Sequence, residues 1–310
     1  MQQPTPPSSD HPFLRGIVPP LVTPLKARDQ LDVEGLARVV EHVIGGGVDG
    51  LFVLGTTGEL AGLSPRLRRE VITRVGKLVR GRVPFVVGVT DTHLTETLAL
   101  GAHAMVAGAA AVVVTVPYYL PPAQEELEAY VRTVVREQPL PVMLYNMPVL
   151  TKVAFEVDTV RRLAEVEKVV GIKDSSGELE YLREVARVTA ARKDWSLLAG
   201  RESLLVPALR AGVHGSVAGG ANVAPRLFAD LCAAVVAGDG PRVAGLEERV
   251  RRLGGIYEST GARVPGVIRG IKGALALMGV CSERMAEPFH GVTGVERERI
   301  RSVLGELELV

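Results

Sequence analysis

The sequence predicts an α/β protein of the TIM-barrel class, a (β/α)8 barrel followed by a C-terminal helical extension. Three observations indicate this class: eight short apolar runs, amphipathic stretches between them, and a regular spacing of about 30 residues from run to run. A run that is apolar at nearly every position is typical of a strand buried on both faces of a parallel sheet. The predicted strands are Ile17–Leu25, Gly50–Leu54, Phe85–Val89, Ala111–Val116, Val142–Tyr145, Val169–Ile172, Ser196–Ala199 and Val213–Val217.

The stretches between these runs have the period of an α-helix. Apolar residues recur at offsets of three and four between the first two runs, and prolines stand at helix starts such as Ser64-Pro65, where a missing N–H costs nothing. Further helices are predicted at Pro65–Leu78, Leu94–Ala107, Pro241–Leu253 and Pro265–Met278. We therefore predict a disordered tail over residues 1–14, a barrel over 15–236 and a helical segment over 237–310.

The runner-up architecture is a doubly wound open sheet. No G-x-G-x-x-G follows the first predicted strand, and eight evenly spaced strand–helix units would form an unusually wide open sheet. A TIM barrel takes about 250 residues, which suits a series that ends near residue 235. The pattern therefore favours the barrel.

Composition narrows the class of protein. The chain has 47% hydrophobic and 23% charged residues and a net charge of +1, so nothing indicates nucleic acid or a membrane surface as a partner. Two cysteines, Cys232 and Cys281, are too few for a disulfide scaffold, which favours a cytoplasmic location. We expect no signal peptide, no membrane span and, because the six histidines show no ligand spacing, no metal site.

Lys173 is the most informative residue. It directly follows a predicted buried strand, and in a TIM barrel the reactive residues stand at the carboxyl ends of the strands. Desolvation there should lower the pKa of the amine, and a free amine in a dry site is a nucleophile for carbonyls. The alternative is an ion pair with Asp174 or another acid. In contrast, we expect Lys168 and Lys272 to be solvated.

Three other strand ends carry candidate residues. The segment Gly55–Glu59 could aim backbone N–H groups at a carboxylate, although a plain strand-to-helix turn explains it equally well. Tyr145 could relay a proton, but a tyrosine at a strand end is more often a core residue with a hydrogen-bonded tip. Tyr118 and Tyr119 are adjacent and should point opposite ways, so that one can enter the site while the other packs.

Taken together, these motifs resemble those of the dihydrodipicolinate synthase / N-acetylneuraminate lyase family, pyruvate-dependent class I aldolases. The resemblance runs from about Gly16 to the C-terminus and depends on four motifs in the same order and spacing. They are Gly-Thr-Thr-Gly-Glu from Gly55, Pro-Tyr-Tyr from Pro117, Tyr-Asn-x-Pro from Tyr145 and Gly-Ile-Lys-Asp from Gly171.

The resemblance implies a role for each matching position. Lys173 would form the imine with pyruvate or another 2-oxo acid, and Thr56 and Thr57 would hold its carboxylate. Tyr145 would shuttle protons, and Thr56 would link it to Tyr119, which in this family reaches in from a neighbouring subunit. The family also implies a homotetramer, a dimer of dimers, and a reaction without a cofactor. The remaining matched positions, which line the 2-oxo-acid pocket, are Gly200 and Val217.

One departure from the family pattern bears on the substrate. Dihydrodipicolinate synthases carry an arginine two residues after the proline of Tyr-Asn-x-Pro, where this chain has Leu150. Losing a bidentate carboxylate partner is not a conservative change. Arg201 and Glu202 could instead contact a polar aldehyde, which favours a 2-keto-3-deoxy sugar acid or 4-hydroxy-2-oxoglutarate as substrate.

Two alternative functions stay open at this point. The first is 4-hydroxy-tetrahydrodipicolinate synthase activity, the condensation of pyruvate with aspartate semialdehyde. The second is a non-catalytic barrel that binds 2-oxo acids, although a binder has little need of an amine beside a proton relay. The resemblance also predicts no inhibition by free lysine, since Pro65 and Thr92 stand where inhibited members have His and Asn.

Overall fold

The computed structural model describes residues 11–261 and 263–310 of the chain, in which strands are followed by helices up to residue 237 and helices alone follow after it. The strands are β1 (Gly16–Ile17), β2 (Leu25–Ala27), β3 (Gln30–Leu31), β4 (Leu51–Val53), β5 (Phe85–Gly88), β6 (Ala111–Thr115), β7 (Val142–Asn146), β8 (Val169–Asp174), β9 (Ser196–Ala199) and β10 (Gly215–Ser216).

The α-helices follow the strands, and the last four form a helical segment without strands. They are α1 (Val33–Gly45), α2 (Pro65–Val79), α3 (Leu94–Val106), α4 (Gln124–Glu137), α5 (Pro148–Thr151), α6 (Val157–Ala164), α7 (Leu179–Thr189), α8 (Leu205–Arg210), α9 (Pro225–Ala237), α10 (Gly240–Leu253), α11 (Gly255–Thr260), α12 (Val264–Leu277) and α13 (Gly294–Glu306). None of the described helices is long and apolar enough to span a bilayer.

The described chain divides into two units, which we call the first and the second unit. The first comprises residues 11–16 and 84–217, and the second comprises residues 17–83, 218–261 and 263–310. The barrel over 15–236 and the helical segment over 237–310 stay predictions, as does the tail, of which residues 1–10 lie outside the described part. Within the first unit Leu14 is buried, and its N–H donates to Ser196 Oγ at 2.6 Å.

The first unit is built on a ladder of parallel strands in the order β5-β6-β7-β8-β9-β10. Nearly every residue of these strands is buried, which explains why the runs are apolar throughout rather than at alternate positions. Between the pairs Val142–Val169 and Met143–Gly171 the register shifts by one residue. This bulge in β8 sets which face each later residue of the strand presents.

The second unit carries β4, an antiparallel hairpin and helices whose starts the sequence specifies. Ser64 Oγ accepts from the N–H of Leu67 at the start of α2, and Asp32 Oδ1 accepts from that of Gly35 at the start of α1. The hairpin of β2 and β3 was not predicted. The strand predicted over Ile17–Leu25 was wrong in length: β1 ends at Ile17, because Pro19, Pro20 and Pro24 have no N–H to donate to a ladder.

Candidate active site

The pairing of β7 with β8 places Lys173 beside Tyr145. The two residues are direct partners in the parallel register, so their side chains leave the same face of the sheet. Lys173 Nζ lies 4.0 Å from the centroid of the Tyr145 ring. The two residues are 5% and 6% exposed, respectively. The first unit therefore holds an amine and a phenol in contact and largely shielded from water.

Behind this pair, the next residues of the two strands form a buried polar network. Asn146 Nδ2 donates to Asp174 Oδ1 at 2.7 Å, while Asn146 Oδ1 accepts from the N–H of Phe155 at 3.0 Å. Asp174 Oδ2 accepts from Ser176 Oγ at 2.8 Å. Burial raises the pKa of Asp174, and the bonds from Asn146 and Ser176 and the charge of Lys173 partly oppose that rise.

This network bears on the alternative role for Lys173 as the ion-pair partner of Asp174. Successive residues of a strand point to opposite faces, and both carboxylate oxygens of Asp174 accept hydrogen bonds from Asn146 or Ser176. The carboxylate is thereby held on the side of the strand away from the amine. The network was not predicted; the Asn and Asp that directly follow Tyr145 and Lys173 were the available signal.

Gly200 directly follows the last residue of β9 and lies beside Lys173. Its N–H donates to the Asp174 carbonyl at 2.6 Å. A Cβ at position 200 would lie 2.9 Å from that carbonyl oxygen and 3.1 Å from Lys173 Cε, and it would collide with Ser175 Oγ. Only glycine allows this approach, so Gly200 preserves the space beside the amine.

Other predicted site residues of the first unit lie at or just after strand ends. Val217 is buried directly after β10, and its N–H donates to the Ala199 carbonyl at 2.8 Å. Glu202 is partly buried at the start of the 3-10 turn Glu202–Leu204. Leu150, in the short helix α5, is 44% exposed and carries no charge.

Tyr119 lies on the surface of the described chain. Its side chain is 92% exposed, its φ of 84° falls in the left-handed region, and its neighbour Leu120 is 76% exposed. Such a backbone conformation is costly for a residue other than glycine. Tyr118 is partly buried, so the two adjacent rings differ in exposure; that one of them enters the site stays a prediction.

Thr56 and Thr57 belong to the second unit, in the turn that follows β4. The turn is held through its backbone: Glu59 N–H donates to the Thr56 carbonyl at 3.0 Å, and Thr23 Oγ1 donates to the Gly58 carbonyl at 2.7 Å. A Cβ at Gly58 would lie 3.0 Å from the Leu21 carbonyl oxygen. Glycine at position 58 therefore allows the turn to approach the backbone at Leu21 closely.

The same turn ends in a buried ion pair that was not predicted. Lys272 in α12 is fully buried, and its Nζ lies 2.5 Å from Glu59 Oε1. Burial lowers the pKa of Lys272, while the charge and hydrogen bond of Glu59 oppose that shift. The prediction that Lys272 is solvated was wrong. Lys168 is partly buried, with Nζ donating to the Val135 and Gln138 carbonyls, so it is not a freely solvated lysine either.

Comparison with known proteins places the chain in a family. A sequence profile described as the dihydrodipicolinate synthetase family matches residues 13–307. The chain belongs to this family. A 4-hydroxy-tetrahydrodipicolinate synthase from Phenylobacterium zucineum is 33% identical over 299 residues, covering 96% of this chain and 99% of the relative.

Two solved structures of dihydrodipicolinate synthase family proteins are similar over nearly their whole length. A dihydrodipicolinate synthase from Bacteroides thetaiotaomicron matches with a TM-score of 0.91 and 42% identity, covering 94% of this chain and 98% of that one. A prophage protein of the family from E. coli K12, solved in complex with pyruvate, matches with a TM-score of 0.90 and 31% identity. The match covers 96% of this chain and 99% of that one.

These similarities confirm two predictions made from the sequence. The resemblance to the dihydrodipicolinate synthase family was correct, and so was the fold class, a TIM-barrel α/β fold with additional C-terminal helices. Members of the dihydrodipicolinate synthase family are lyases, class I aldolases that form carbon–carbon bonds with pyruvate. The chain is therefore an enzyme of the lyase class.

Proposed function

We propose that this lyase joins a 2-oxo acid such as pyruvate to an aldehyde, or cleaves the joined product, through a Schiff base on Lys173. The observation that supports the proposal most directly is the contact of Lys173 Nζ with the Tyr145 ring in a site largely shielded from water. Imine chemistry requires a nucleophilic amine and a group that moves protons, and a phenol can serve as the second.

The proposed reaction balances without a metal or an external redox partner. Lys173 Nζ attacks the C2 carbonyl of the 2-oxo acid, and loss of water gives an iminium ion. The iminium makes the adjacent C3–H acidic, and loss of that proton gives an enamine. The enamine carbon then attacks the aldehyde carbon, and the aldehyde oxygen takes up a proton as its C=O π bond breaks. Water then hydrolyses the new iminium to release the product and the free amine.

Tyr145 is proposed to carry protons in these steps. Its ring lies against the amine, so that its hydroxyl belongs to the same shielded region as the nitrogen that forms the iminium. Gly200 and Val217 are proposed to line the space for the 2-oxo acid. From the family resemblance, Thr56 and Thr57 are proposed to bind the carboxylate of the 2-oxo acid, and Tyr119 to act in the site of a neighbouring subunit of a homotetramer.

The aldehyde is proposed to be the fragment of a 2-keto-3-deoxy sugar acid or of 4-hydroxy-2-oxoglutarate. Leu150 offers no charge to a carboxylate, whereas Glu202 and its exposed neighbour Arg201 follow β9, the strand that ends just before Gly200. The second candidate substrate is aspartate semialdehyde. It is favoured by the name of the 33% identical relative, 4-hydroxy-tetrahydrodipicolinate synthase, and opposed by Leu150.

Borohydride trapping tests the Schiff base. The protein is incubated with pyruvate and sodium borohydride, digested, and mapped by mass spectrometry. We expect one reduced pyruvate adduct, on Lys173, that disappears in Lys173→Ala and persists in Lys193→Arg, which changes an exposed lysine. Pyruvate binding by calorimetry that survives Lys173→Ala unchanged, with no adduct and no turnover, would instead support a non-catalytic binding protein.

A substrate panel separates the two aldehyde classes. We expect turnover of sugar-acid or 4-hydroxy-2-oxoglutarate substrates to exceed condensation with aspartate semialdehyde. Leu150→Arg should raise kcat/KM for aspartate semialdehyde by about tenfold, because it restores a bidentate partner for the carboxylate. Val149→Arg is the matched control, since Val149 is similarly exposed at 49% in the same helix. Efficient use of aspartate semialdehyde by the unchanged enzyme would establish the second candidate.

A further inference from the structure

We propose that Glu59 and Lys272 are positioning residues for this reaction: their buried ion pair holds the Thr56–Thr57 turn in the conformation that binds the carboxylate of the 2-oxo acid. The inference rests on the proposed function, which assigns that carboxylate to Thr56 and Thr57. It concerns residues of the second unit alone.

The ion pair is fully enclosed and its hydrogen bonds are specific. Lys272 Nζ lies 2.5 Å from Glu59 Oε1 and donates to the Arg284 carbonyl at 2.5 Å. The other carboxylate oxygen, Glu59 Oε2, accepts from the N–H of Ala286 at 2.7 Å. The side chains of Lys272 and Glu59 are 0% and 5% exposed. An ammonium and a carboxylate withdrawn from water to this extent are tolerated only when each is paired and hydrogen-bonded.

The backbone conformation of Glu59 is the second observation that supports its role as a positioning residue. Its φ of 59° and ψ of 29° lie in the left-handed region, where glycine would be accommodated at lower cost. A glutamate at such a position indicates that the side chain is required. That side chain reaches α12, while the backbone N–H of Glu59 donates to the Thr56 carbonyl at 3.0 Å. One residue therefore connects the threonine turn to a buried helix.

Close packing of α12 keeps Lys272 in a fixed position for its contact with Glu59. The helix is buried over most of its length, and at positions 270 and 273 it carries glycines packed closely against other parts of the second unit. Lys272 lies between these glycines, so its amine cannot move to solvent without disrupting the packing of the helix. The Glu59 carboxylate is consequently held at one place, and the turn is held with it.

The test compares two quantities in the same variants. One is the pyruvate concentration that gives half-maximal reduced adduct on Lys173, and the other is the midpoint of thermal unfolding. The variants are Glu59→Gln, Lys272→Met, their combination, and Glu59→Asp, which keeps the charge but shortens the side chain. The double variant leaves no unpaired buried charge and Glu59→Asp leaves the amine a partner, so at least these two are expected to fold.

We expect the half-saturating pyruvate concentration to rise about ten- to a hundredfold in Glu59→Gln and in the double variant, and less in Glu59→Asp. The effects of the two single changes should not multiply in the double variant, because both act through one contact. The half-saturating aldehyde concentration should change little.

The matched control is the ion pair of Arg269 with Glu296, one turn earlier on the same helix. Its nitrogen–oxygen distance is 2.9 Å, and its side chains are 16% and 15% exposed. Arg269→Met should lower the unfolding midpoint and leave the half-saturating pyruvate concentration unchanged. Unfolding midpoints that fall in the Glu59 variants while pyruvate saturation stays as in the wild type would overturn the inference. Absence of any Lys173 adduct in the wild type would overturn the proposed function itself, and this inference with it.

Discussion

At the scale of single residues, the hydroxyl group of Tyr145 is the group whose removal tests the proton relay. Tyr145→Phe keeps the ring that lies 4.0 Å from Lys173 Nζ and removes only the proton donor. We expect kcat to fall about 10²- to 10⁴-fold, the range for loss of a general acid–base group, with the unfolding midpoint little changed.

The control for this change is Tyr181→Phe. Tyr181 is partly buried, and its hydroxyl donates to the Phe155 carbonyl at 2.7 Å, which is a structural bond. Its removal should cost about 1 kcal/mol of stability and leave kcat near the wild-type value. Steady-state kinetics of both variants decide the matter, and equal kcat values in Tyr145→Phe and the wild type would refute the relay.

Gly200 should tolerate no side chain. In Gly200→Ala the new methyl would lie 2.9 Å from the Asp174 carbonyl oxygen and 3.1 Å from Lys173 Cε. We expect a loss of about 1–3 kcal/mol in the free energy of unfolding and slower adduct formation on Lys173. Denaturant unfolding and the trapping rate measure the two effects. Gly245→Ala, in α10 with nothing within 4 Å, should instead stabilise by about 0.5–1 kcal/mol.

At the scale of elements, the paired ends of β7 and β8 give stability a pH dependence. Burial raises the pKa of Asp174 in the folded protein above its ordinary value of 3.8. The folded state then binds more protons than the unfolded state between these two pKa values. Stability from this group is therefore present at low pH and is lost as the pH rises through the folded-state pKa.

The variant Asp174→Asn removes this titration. The free energy of unfolding of the wild type, measured relative to that of the variant in denaturant series at several pH values, should fall as the pH rises from about 4 and then level off. Asp239→Asn is a suitable control, because Asp239 is an exposed acid at the start of α10. If the free energy of unfolding of the wild type, relative to that of Asp174→Asn, rose with pH, the expected sign would be contradicted.

The same elements show how far the sequence specifies the fold. The runs predicted as strands from Phe85 to Ala199 coincide with β5 to β9 within two residues at each end. A strand buried on both faces is apolar at nearly every residue, so its whole length is visible in the sequence. The hairpin of β2 and β3 was missed, since its strands are short and partly exposed. The bulge in β8 leaves no composition signal beyond the glycine at 171.

The candidate site likewise has residues that the sequence indicated and an ion pair that it did not. Lys173 and Tyr145 were predictable because each directly follows or ends an apolar run. The partner of Lys272 was not, because Glu59 lies 213 positions away in the chain and no local pattern connects the two. A signal for the burial of Lys272 did exist: apart from Arg269, the other residues of α12 are apolar or small, and a buried lysine in such a helix must be paired.

At the scale of the whole molecule, the enzyme should be insensitive to free lysine. Pro65 is the first residue of α2 and brings no polar side chain, and Thr92 is exposed, with its hydroxyl near Asp91 Oδ1 at 3.4 Å. Neither supplies the imidazole or amide that the resemblance places there in inhibited members. Initial rates measured with increasing L-lysine, with L-arginine as control, should stay constant. Lysine-specific inhibition at low millimolar concentration would refute this prediction.

The proposed homotetramer should depend for its assembly on the loop after β6. Tyr119 and Leu120 are adjacent, 92% and 76% exposed, and an apolar pair of this kind is typical of a surface that another subunit covers. Leu120→Asp should place a charge in that contact, so that sedimentation velocity shows smaller species and kcat falls by about tenfold or more as the partner's Tyr119 is withdrawn. Val236→Asp changes a residue that is 80% exposed on α9 and should alter neither quantity. A Leu120→Asp protein that dissociates yet keeps full activity would show that each chain works alone, without a tyrosine from its neighbour.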